Sequence, residues 1–442
     1  MRIAIIGGGI SGLATAHYVC RARPDWSVEL YEANAYLGGT LRTETVDGFH
    51  FECGGNGFLT NKPDTLALVQ ATGGDHLLLR SNDAARQRFI FNGRLHRLPD
   101  SPATFLRSRL LTLPQKLRVA AEVLIPRKTG DDDESLRDFG TRRLGKGFTD
   151  ALLDPMAAGV FGATAEGLSV NAAFPAVVRL EAEHGGLFKG MIKQRRRQAG
   201  PAGVLTSFTG GVGTLIDHLR ERLPVRLHLA EPVRALRREA HGGYQVTSDN
   251  RSAHYDHVVL CTPSYIAAHL LLPVDKALSE AVDAIDYTPI SVVGFGWQAL
   301  NHTLDGFGLL TTQSAGQRIL GVLWDSSVFT DRAPAGQRCV RVMIGGQRQP
   351  DLALRTTDEL IAIARQGLRA TMGITQAPDT VFVKSWPRGI PNYRVGHLGR
   401  VATIDRLLSD HPRLSLNANA YRGIGINDCV ANSRITATAI TG

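Results

Sequence analysis

The stretch Ile3-Ala4-Ile5-Ile6-Gly7-Gly8-Gly9-Ile10-Ser11-Gly12-Leu13 lies at the start of the chain and decides its fold. The apolar residues Ile3–Ile6 predict a short buried strand, and Leu13–Cys20 predicts a helix. Between them the glycines follow the pattern G-x-G-x-x-G. In this pattern the first glycine permits a tight turn, the second lets the backbone approach a pyrophosphate, and the third lets the helix pack on the strand.

An acidic residue at the right distance supports this interpretation. Glu32 follows Gly12 by 20 residues and closes the predicted strand Ser27–Tyr31. A carboxylate there accepts hydrogen bonds from ribose hydroxyls, while the N–H groups and positive dipole end of the helix face the phosphates. We therefore predict an α/β fold with a Rossmann-like dinucleotide-binding domain; a glycine-rich turn without a ligand is the weaker alternative. The predicted contacts here are Gly7, Gly8, Gly9, Ile10, Ser11, Gly12, Glu32 and Ala33.

Chain length limits the number of domains, and net charge limits the class of partner. A chain of 442 residues is too long for one ordinary core, so two or three domains are expected. The formal charge of +9 fits a nucleic acid, an anionic membrane or a polyanionic small substrate as partner, and also fits plain compositional bias. Aromatic residues are only 7% and no RNA-binding signature is present, so no nucleic-acid partner is predicted.

Cysteine usage indicates the compartment. The five cysteines are scattered and form no C-x-x-C pair, which argues against a disulfide framework or a zinc site and favours a reducing compartment. A strand that begins directly after Met1 leaves no room for a signal peptide. No apolar stretch is long enough to span a membrane as a helix. We expect a cytoplasmic protein without a metal, either free or peripheral on the inner face of the membrane.

The pattern along the chain predicts three domains. Segments 1–90, 205–270 and 395–442 are predicted to form the dinucleotide-binding domain, interrupted by a helical insertion at 91–204 and an α+β substrate-binding domain at 271–394. A β meander is predicted within 224–261, with a hairpin turn at Gly242-Gly243. Its predicted strands are Val225–Leu229, Val233–Leu236, Tyr244–Thr247 and His254–Leu260.

Two further glycine-rich segments point to the kind of dinucleotide. Leu37-Gly38-Gly39-Thr40-Leu41-Arg42-Thr43 and Glu52-Cys53-Gly54-Gly55-Asn56-Gly57 resemble the segments that follow the fingerprint in the monoamine-oxidase-like flavoprotein superfamily. Glycines let the backbone lie close to a flat ring, and nicotinamide enzymes lack this second set. The resemblance implies FAD as cofactor, with contacts from Gly39, Thr40, Arg42, Gly54, Gly55, Asn56 and Gly57.

A string near the C-terminus is more specific. Asn419-Ala420-Tyr421-Arg422-Gly423-Ile424-Gly425-Ile426-Asn427-Asp428-Cys429 resembles the signature of the protoporphyrinogen oxidase family. Similar motifs run along nearly the whole chain, at 88–91, 306–310, 342–346 and 386–391. One departure is Ala418, where the family commonly has glycine. A helix is expected from Asp428 onward, with Asn427 or Asp428 as its cap.

This resemblance implies an activity and a set of contacts. The activity is FAD-dependent oxidation of a porphyrinogen to a porphyrin in heme biosynthesis, with oxygen as acceptor. Ile424, Gly425 and Ile426 would face the pyrimidine edge of the flavin, and Val233 would contact the adenine side. No catalytic side chain is expected, because the flavin supplies the chemistry.

The substrate implied by the resemblance is an apolar disc with carboxylate arms. Arg88 matches the family's carboxylate anchor, and its alternative is a surface arginine in an ordinary ion pair. The ring pocket is matched by a set of mostly apolar residues, for which core packing is the alternative. They are Phe307, Gly308, Leu310, Leu320 and Met343.

Several further alternatives stay open at this point. The substrate could be coproporphyrinogen instead of protoporphyrinogen, or the chain could oxidise an amine or a polyene. Phe105–Lys128 is cationic and amphipathic, which is typical of a helix in an anionic membrane interface but also of a solvated helix. The basic run Arg195–Arg197 divides in the same way. The sequence does not choose between a monomer and a homodimer.

Overall fold

The computed structural model describes residues 1–130, 132–197 and 203–442, without the side chains of residues 84, 85 and 194–197. A five-stranded parallel sheet lies under the first turn, in the order Arg226–His228, Ser27–Tyr31, Arg2–Ile6, His257–Leu260 and Leu414–Leu416. The strand Arg2–Ile6 is central and almost wholly buried, as its unbroken apolar run requires. The predicted α/β fold is confirmed.

Helices cover both faces of this parallel sheet. Ile10–Ala22 packs against the C-terminal helix Ile426–Thr441 over one face, and the two share a core with Gly213–Arg222. The other face carries Ser264–Leu271, Lys276–Asp283 and the three-stranded meander. The C-terminal helix therefore reaches the helix that follows the first turn, although the two are 400 residues apart.

The meander differs from the prediction at both ends. It has three strands, Val233–Arg238, Tyr244–Ser248 and Ser252–Tyr255, with left-handed Gly242 and Gly243 in the predicted hairpin turn. The predicted first strand joins the parallel sheet instead, and the predicted fourth is two strands. The break lies at Asp256, whose carboxylate accepts from the Arg2 N–H at 2.7 Å while its own N–H donates to the Arg2 carbonyl at 2.9 Å. The chain changes partners there, which a pattern of apolar residues does not reveal.

A seven-stranded sheet forms the second layer. Its order is Thr380–Pro391, Tyr287–Trp297, Arg338–Gly345, Gly321–Leu323, Gly308–Thr311, Arg88–Phe91 and Leu95–Arg97. One face packs against the helix Thr357–Met372. Arg88–Phe91 pairs in parallel with Gly308–Thr311, so this strand belongs to the sheet although the predicted domain boundary falls at residue 90. The three-domain division otherwise stays a prediction.

The helical insertion supplies a separate apolar core. Phe105–Lys128 is not one helix: Pro102–Arg107 and Leu113–Ala120 are short helices, and Ala121–Leu124 is a 3₁₀ turn. The fully buried Arg143 pairs with the equally buried Glu122. The basic run Arg195–Arg197 ends the helix Leu187–Arg197, and its side chains lie outside the described residues. Within the described ranges, no helix is long and apolar enough to cross a bilayer.

The remaining elements connect these layers. Two small sheets pair Thr43–Val46 with Phe49–Glu52, and Leu205–Phe208 with Phe58–Leu59 and Leu78–Arg80. The other helices are Asp64–Ala71, Leu136–Leu144, Lys146–Phe148, Asp154–Phe161, Val170–Ala173, Pro175–His184, Asp325–Val328 and His397–Leu408. A π-helical turn, Thr149–Leu153, precedes Asp154–Phe161, and 3₁₀ turns occur at Asp75–Leu77, Asp83–Arg86, Gln313–Ala315 and Pro350–Leu354.

Candidate functional site

The glycines of the first turn differ in what surrounds them. A Cβ on Gly12 would lie 2.0 Å from the Gly7 carbonyl oxygen, and one on Gly7 would lie 2.7 Å from the Cys261 oxygen, so the protein itself excludes side chains there. A Cβ on Gly9 would meet nothing nearer than the Gly38 oxygen at 3.9 Å. The space in front of Gly9 is therefore free of protein, as a site for a pyrophosphate requires.

The second glycine-rich segment borders the same space. Gly9 and Gly38 form a parallel bridge, and a Cβ on Gly39 would meet only the Gly9 Cα, at 3.8 Å. Thr40 follows on the exposed side. Arg42 lies over the Tyr36 ring at 3.8 Å and pairs with Glu44 at 2.7 Å. The Arg42 guanidinium therefore already has two partners within the protein, and its contact with FAD stays a prediction.

The carboxylate of Glu32 ties the first turn to its own strand end. One oxygen accepts from the Gly8 N–H at 2.8 Å, and the other accepts from the backbone and side-chain N–H groups of Asn34 at 2.9 and 2.6 Å. A carboxylate has about four lone-pair positions, so one is open to a ribose hydroxyl. Ala33 is exposed beside it, and the backbone bond from Glu231 to the Glu32 carbonyl brings the segment before Val233 to the same edge.

The loop Glu52–Gly57 is held by two buried arginines that sequence reasoning did not assign. Arg341 pairs with Asp325, donates to the carbonyls of Glu52 and Gly54, and donates to the Asn56 side-chain oxygen. Arg332 pairs with Glu52 at 2.9 Å. The Asn56 side chain is therefore engaged by the protein, and the loop presents its backbone. A charged residue inside the apolar strand Arg338–Gly345 was the available signal, since a buried arginine needs a partner.

The C-terminal loop ends in a helix that starts earlier than predicted. The helix begins at Ile426 with Gly425 as its cap, and not at Asp428. Asp428 is the third residue of the helix and reaches back to accept from the Gly425 N–H at 3.3 Å, so a carboxylate in the first turn replaces the predicted cap. No atom within the described part of the chain accepts from the N–H groups of Ile424, Ile426 or Asn427.

Four buried side-chain oxygens, those of Thr65 and Tyr421 included, lack a partner among the described residues, and two that sequence reasoning missed lie in segments that border the candidate site. They are Thr262 Oγ1, just beyond the carboxyl end of the strand His257–Leu260, and Asn427 Oδ1. Ligands in open α/β sheets bind outside the carboxyl ends of the strands, which is the signal that could have found Thr262. By contrast, burial raises the pKa of the Cys429 thiol to about 12, so it stays protonated and packs.

Four of the predicted substrate residues, Arg88, Gly308, Leu310 and Met343, share one face of the seven-stranded sheet. Cross-strand partners point to the same face. Arg88 lies opposite Gly308, and Leu310 lies opposite Gly321, which in turn lies opposite Met343. This face is the one that looks away from the helix Thr357–Met372.

The helical insertion faces these residues. A Cβ on Gly159 would lie 2.5 Å from Leu310, so the helix Asp154–Phe161 runs directly against it. Leu320 and Met343 pack with Ala158 and with Trp386, a residue that sequence reasoning did not assign. Leu320 is only 4% exposed, which agrees with the core-packing alternative, while Leu310 and Met343 are half-buried.

Arg88 has no acidic partner on this face in the described part of the chain. Its guanidinium lies 5.0 Å from the centre of the Phe307 ring and is exposed. Among the residues that the structure describes, no carboxylate lies within ion-pairing distance of it. The alternative of an ordinary surface ion pair therefore has no support.

The donor set fits FAD. Open backbone space at Gly9 and Gly39 suits a pyrophosphate, the lone pair left on Glu32 suits a ribose, and unused N–H groups at Ile424–Asn427 suit a flavin edge. These groups run from the start of one helix, Ile10–Ala22, to the start of its neighbour, Ile426–Thr441. Both helix starts direct N–H groups and the positive dipole end toward the ligand.

Comparisons with known proteins agree with this geometry. The profile of a family described as flavin containing amine oxidoreductase matches residues 10–441. The chloroplastic protoporphyrinogen oxidase of Nicotiana tabacum is 29% identical over 469 residues, covering 99% of this chain and 85% of that protein. Coproporphyrinogen III oxidase of Bacillus subtilis (strain 168) is 27% identical over 453 residues, covering 97% of this chain and 95% of that one.

A solved structure is similar throughout. A protein from Exiguobacterium sp. 255-15, assigned provisionally as a protoporphyrinogen oxidase, superposes with a TM-score of 0.88 at 28% identity and covers 100% of this chain and 98% of its own. Together these findings confirm the predicted fold class, the resemblance, FAD as cofactor and an FAD-dependent oxidoreductase.

Proposed function

The chain belongs to the flavin containing amine oxidoreductase family, and from that premise we propose that it oxidises protoporphyrinogen IX to protoporphyrin IX in heme biosynthesis, with oxygen as acceptor. The observation that carries the proposal is the free guanidinium of Arg88 on the apolar face that holds Leu310 and Met343. A flat apolar ring with carboxylate arms needs this combination of an apolar slot and one unpaired cation.

The chemistry divides between cofactor and protein. Bound FAD would supply two-electron oxidation: three rounds, each removing the equivalent of a hydride and a proton from the substrate and converting one oxygen to hydrogen peroxide, would account for the six hydrogens lost. The protein binds and orients the substrate. Arg88 would hold a propionate, while Phe307, Leu310 and Met343 would contact the ring and exclude water. Gly308, whose Cβ would lie 2.1 Å from the Val322 oxygen, keeps the strand close and flat beside the pocket.

Coproporphyrinogen is the second candidate substrate, because relatives of both names cover the chain. It carries more carboxylates, so its pocket must neutralise more charge. Lys384 bears on this difference: it lies on the same sheet face, since it pairs with Val292 and Val292 pairs with Met343. Its amine lies 4.6 Å from the centre of the Trp386 ring, and no described carboxylate pairs with it.

A side-by-side assay tests the proposal. The FAD-loaded protein is given protoporphyrinogen or coproporphyrinogen, and porphyrin fluorescence and peroxide release are followed together. We expect faster turnover of protoporphyrinogen with matching peroxide. Preference for coproporphyrinogen would favour the second candidate, and Lys384→Met should then reduce turnover of coproporphyrinogen more than of protoporphyrinogen. A loaded protein that oxidises neither, but whose flavin is reduced by a polyamine, would contradict both.

We also propose peripheral attachment of the helical insertion to an anionic membrane. Leu106, Leu113, Leu117 and Leu124 are 63–80% exposed, and Arg107 and Arg109 are exposed beside them. Exposed leucines next to cations suit an acyl boundary under anionic headgroups.

Sedimentation with lipid vesicles tests the attachment. The protein should sediment with phosphatidylglycerol-containing vesicles and not with pure phosphatidylcholine vesicles. The double change Leu113→Ser and Leu117→Ser should release it. The control is Leu354→Ser, which removes a similarly exposed leucine (57%) from the substrate-binding domain and should leave sedimentation unchanged. Equal sedimentation of all three proteins would contradict the proposal.

A further inference from the structure

Tyr393 lies where three parts of the molecule meet. It follows the strand Thr380–Pro391 of the seven-stranded sheet, and its side chain is 2% exposed within the core of the helical insertion. Its carbonyl accepts from the Ser169 N–H of that insertion at 2.8 Å. Its side chain reaches the C-terminal loop. Nothing in the sequence patterns assigned a role to it.

The hydroxyl of Tyr393 makes two hydrogen bonds to that loop. It donates to the Asn419 carbonyl at 2.7 Å and accepts from the Gly423 N–H at 2.6 Å. The loop between these two points therefore closes around one oxygen atom. Burial raises the pKa of this phenol, so it keeps the proton it donates.

A second side chain supports Tyr393. The His397 ring stacks on the Tyr393 ring at 4.0 Å between centres and 15° between planes. The His397 Nε2–H donates to the Tyr421 carbonyl at 3.0 Å, and burial lowers the pKa of His397, which favours the neutral ring. The His397 ring holds the Tyr421 carbonyl, and the Tyr393 hydroxyl holds the Asn419 carbonyl and the Gly423 N–H.

The loop so held leads directly into the unused N–H groups. Gly423 has a φ of +92°, a left-handed conformation that directs the following residues. Ile424, Ile426 and Asn427 come next, and none of their N–H groups has an acceptor in the described chain. The direction of these donors therefore depends on Gly423, and the position of Gly423 depends on the Tyr393 hydroxyl.

We propose that Tyr393 is a positioning residue for the flavin: its hydroxyl orients the N–H donors of residues 424–427 toward the pyrimidine edge and thereby sets how readily the flavin accepts electrons. This rests on the proposed cofactor contacts at Ile424–Ile426. Donors aimed at developing negative charge stabilise the reduced form, so losing their alignment makes the flavin a weaker oxidant. Tyr393 also connects this property to the helical insertion through Ser169.

The test is Tyr393→Phe, which keeps the ring stacked on His397 and removes only the two hydrogen bonds. The midpoint potential of the bound FAD and its visible spectrum are measured in the holoprotein without any porphyrinogen. We expect a lower potential, FAD dissociation roughly 2- to 10-fold easier, and kcat lowered by a similar factor with KM unchanged. The matched control is Tyr287→Phe, which removes a neighbouring phenol that accepts from the Ser264 N–H at 3.0 Å and makes no hydrogen bond to the loop among the described residues.

Rescue completes the design. Incorporation of 4-aminophenylalanine at position 393 restores the donor for the Asn419 carbonyl but supplies only a weak acceptor for the Gly423 N–H, so the potential should return part of the way toward that of the original protein. An unchanged potential and spectrum in Tyr393→Phe, or the same shift in Tyr287→Phe, would overturn the proposal. If Tyr393→Phe lowers the midpoint potential of FAD as expected, but the original protein oxidises no porphyrinogen, only the proposed function is overturned.

Discussion

The turn Gly7–Gly12 and the loop Gly423–Ile426 approach the predicted cofactor path from opposite ends, and they are held in different ways. The turn is restricted by steric exclusion, since side chains on Gly7 or Gly12 would clash with backbone oxygens. The loop is shaped by bonds from elsewhere, chiefly the Tyr393 hydroxyl and the Asp428 carboxylate. A motif made of glycines is local and can be recognised alone, whereas a loop held by distant side chains cannot.

Within the turn itself the same contrast separates glycines needed by the protein from a glycine needed by the ligand. Gly12 belongs to the first class and Gly9 to the second. On the substrate side it separates two arginines of one sheet face, because Arg341 is fully paired inside the protein and Arg88 is not. A group that the protein leaves without a partner is the better candidate for binding.

Gly12→Ala should have the largest effect. Its Cβ would lie 2.0 Å from the Gly7 oxygen, so the helix must move off the strand. We expect a loss of about 3 kcal/mol in the free energy of unfolding, from overpacking, and little retained FAD. Chemical unfolding of the apoprotein and the flavin absorbance of the purified protein measure both. Apoprotein stability equal to that of the original chain would refute this account of Gly12.

Arg88→Ala tests the unpaired arginine. Removing a charged hydrogen-bond partner should weaken porphyrinogen binding by about 1.5–3 kcal/mol, which corresponds to roughly a 10- to 100-fold rise in the apparent dissociation constant, with FAD content unchanged. Arg97→Ala is the control, since Arg97 pairs with Asp100 at the surface of the adjacent strand. Steady-state kinetics decide; an unaltered KM in Arg88→Ala removes the anchor from the proposed site.

Gly9→Ala sharpens the contrast with Gly12→Ala. The Gly9 backbone, with φ −74° and ψ −179°, is open to alanine, and its Cβ would meet no protein atom within 3.8 Å. Apoprotein stability should therefore stay within about 0.5 kcal/mol, while FAD affinity falls roughly tenfold, about 1.4 kcal/mol. Titration of apoprotein with FAD measures this. Unchanged affinity would mean that the pyrophosphate lies elsewhere.

The smallest expected effect is a loss of folding stability in acid, caused by His257 in the parallel sheet beneath the turn. Burial, followed by the charge of Arg413, lowers the pKa of His257 to about 4 from an ordinary 6.5. Because the unfolded chain then binds the extra proton first, stability is present above pH 6.5 and is lost as the pH falls toward 4. We expect a loss of roughly 1 kcal/mol between pH 7.5 and 5.5. The free energy of unfolding of His257→Gln, measured at both pH values, should fall by less than that of the original protein.

The sequence predicted the parts of the site that are held by local constraints better than those held by distant residues. The strand, turn and helix around Gly9, the acid Glu32 and the second glycine pair depend on neighbours in the chain, and their elements were placed correctly. The start of the last helix was misplaced by two residues, since the choice between Asn427 and Gly425 as cap depends on where the Asp428 carboxylate can reach. The residue contacts with cofactor and substrate stay predictions.

Other features depended on pairing across the fold. Pairing with Ser27–Tyr31 decides that Arg226–His228 joins the parallel sheet. The bonds between Arg2 and Asp256 decide where the predicted fourth strand of the meander breaks in two. The support of the loop Glu52–Gly57 by Arg341 joins residues 285–289 positions apart. A hydrophobic pattern reports which face is buried and does not report which segment covers it.

The amino-acid sequence by itself determined that the chain forms a dinucleotide fold for FAD and, through its C-terminal string, which family it resembles. These are properties of short segments whose glycines, spacing and acid act on their own backbone. Only the tertiary structure decided which glycine is confined by the protein and which faces open space, that Arg88 lacks an acidic partner among the described residues, and that Tyr393 holds the far loop. Those are properties of the space between distant segments, which exists only after the chain has packed.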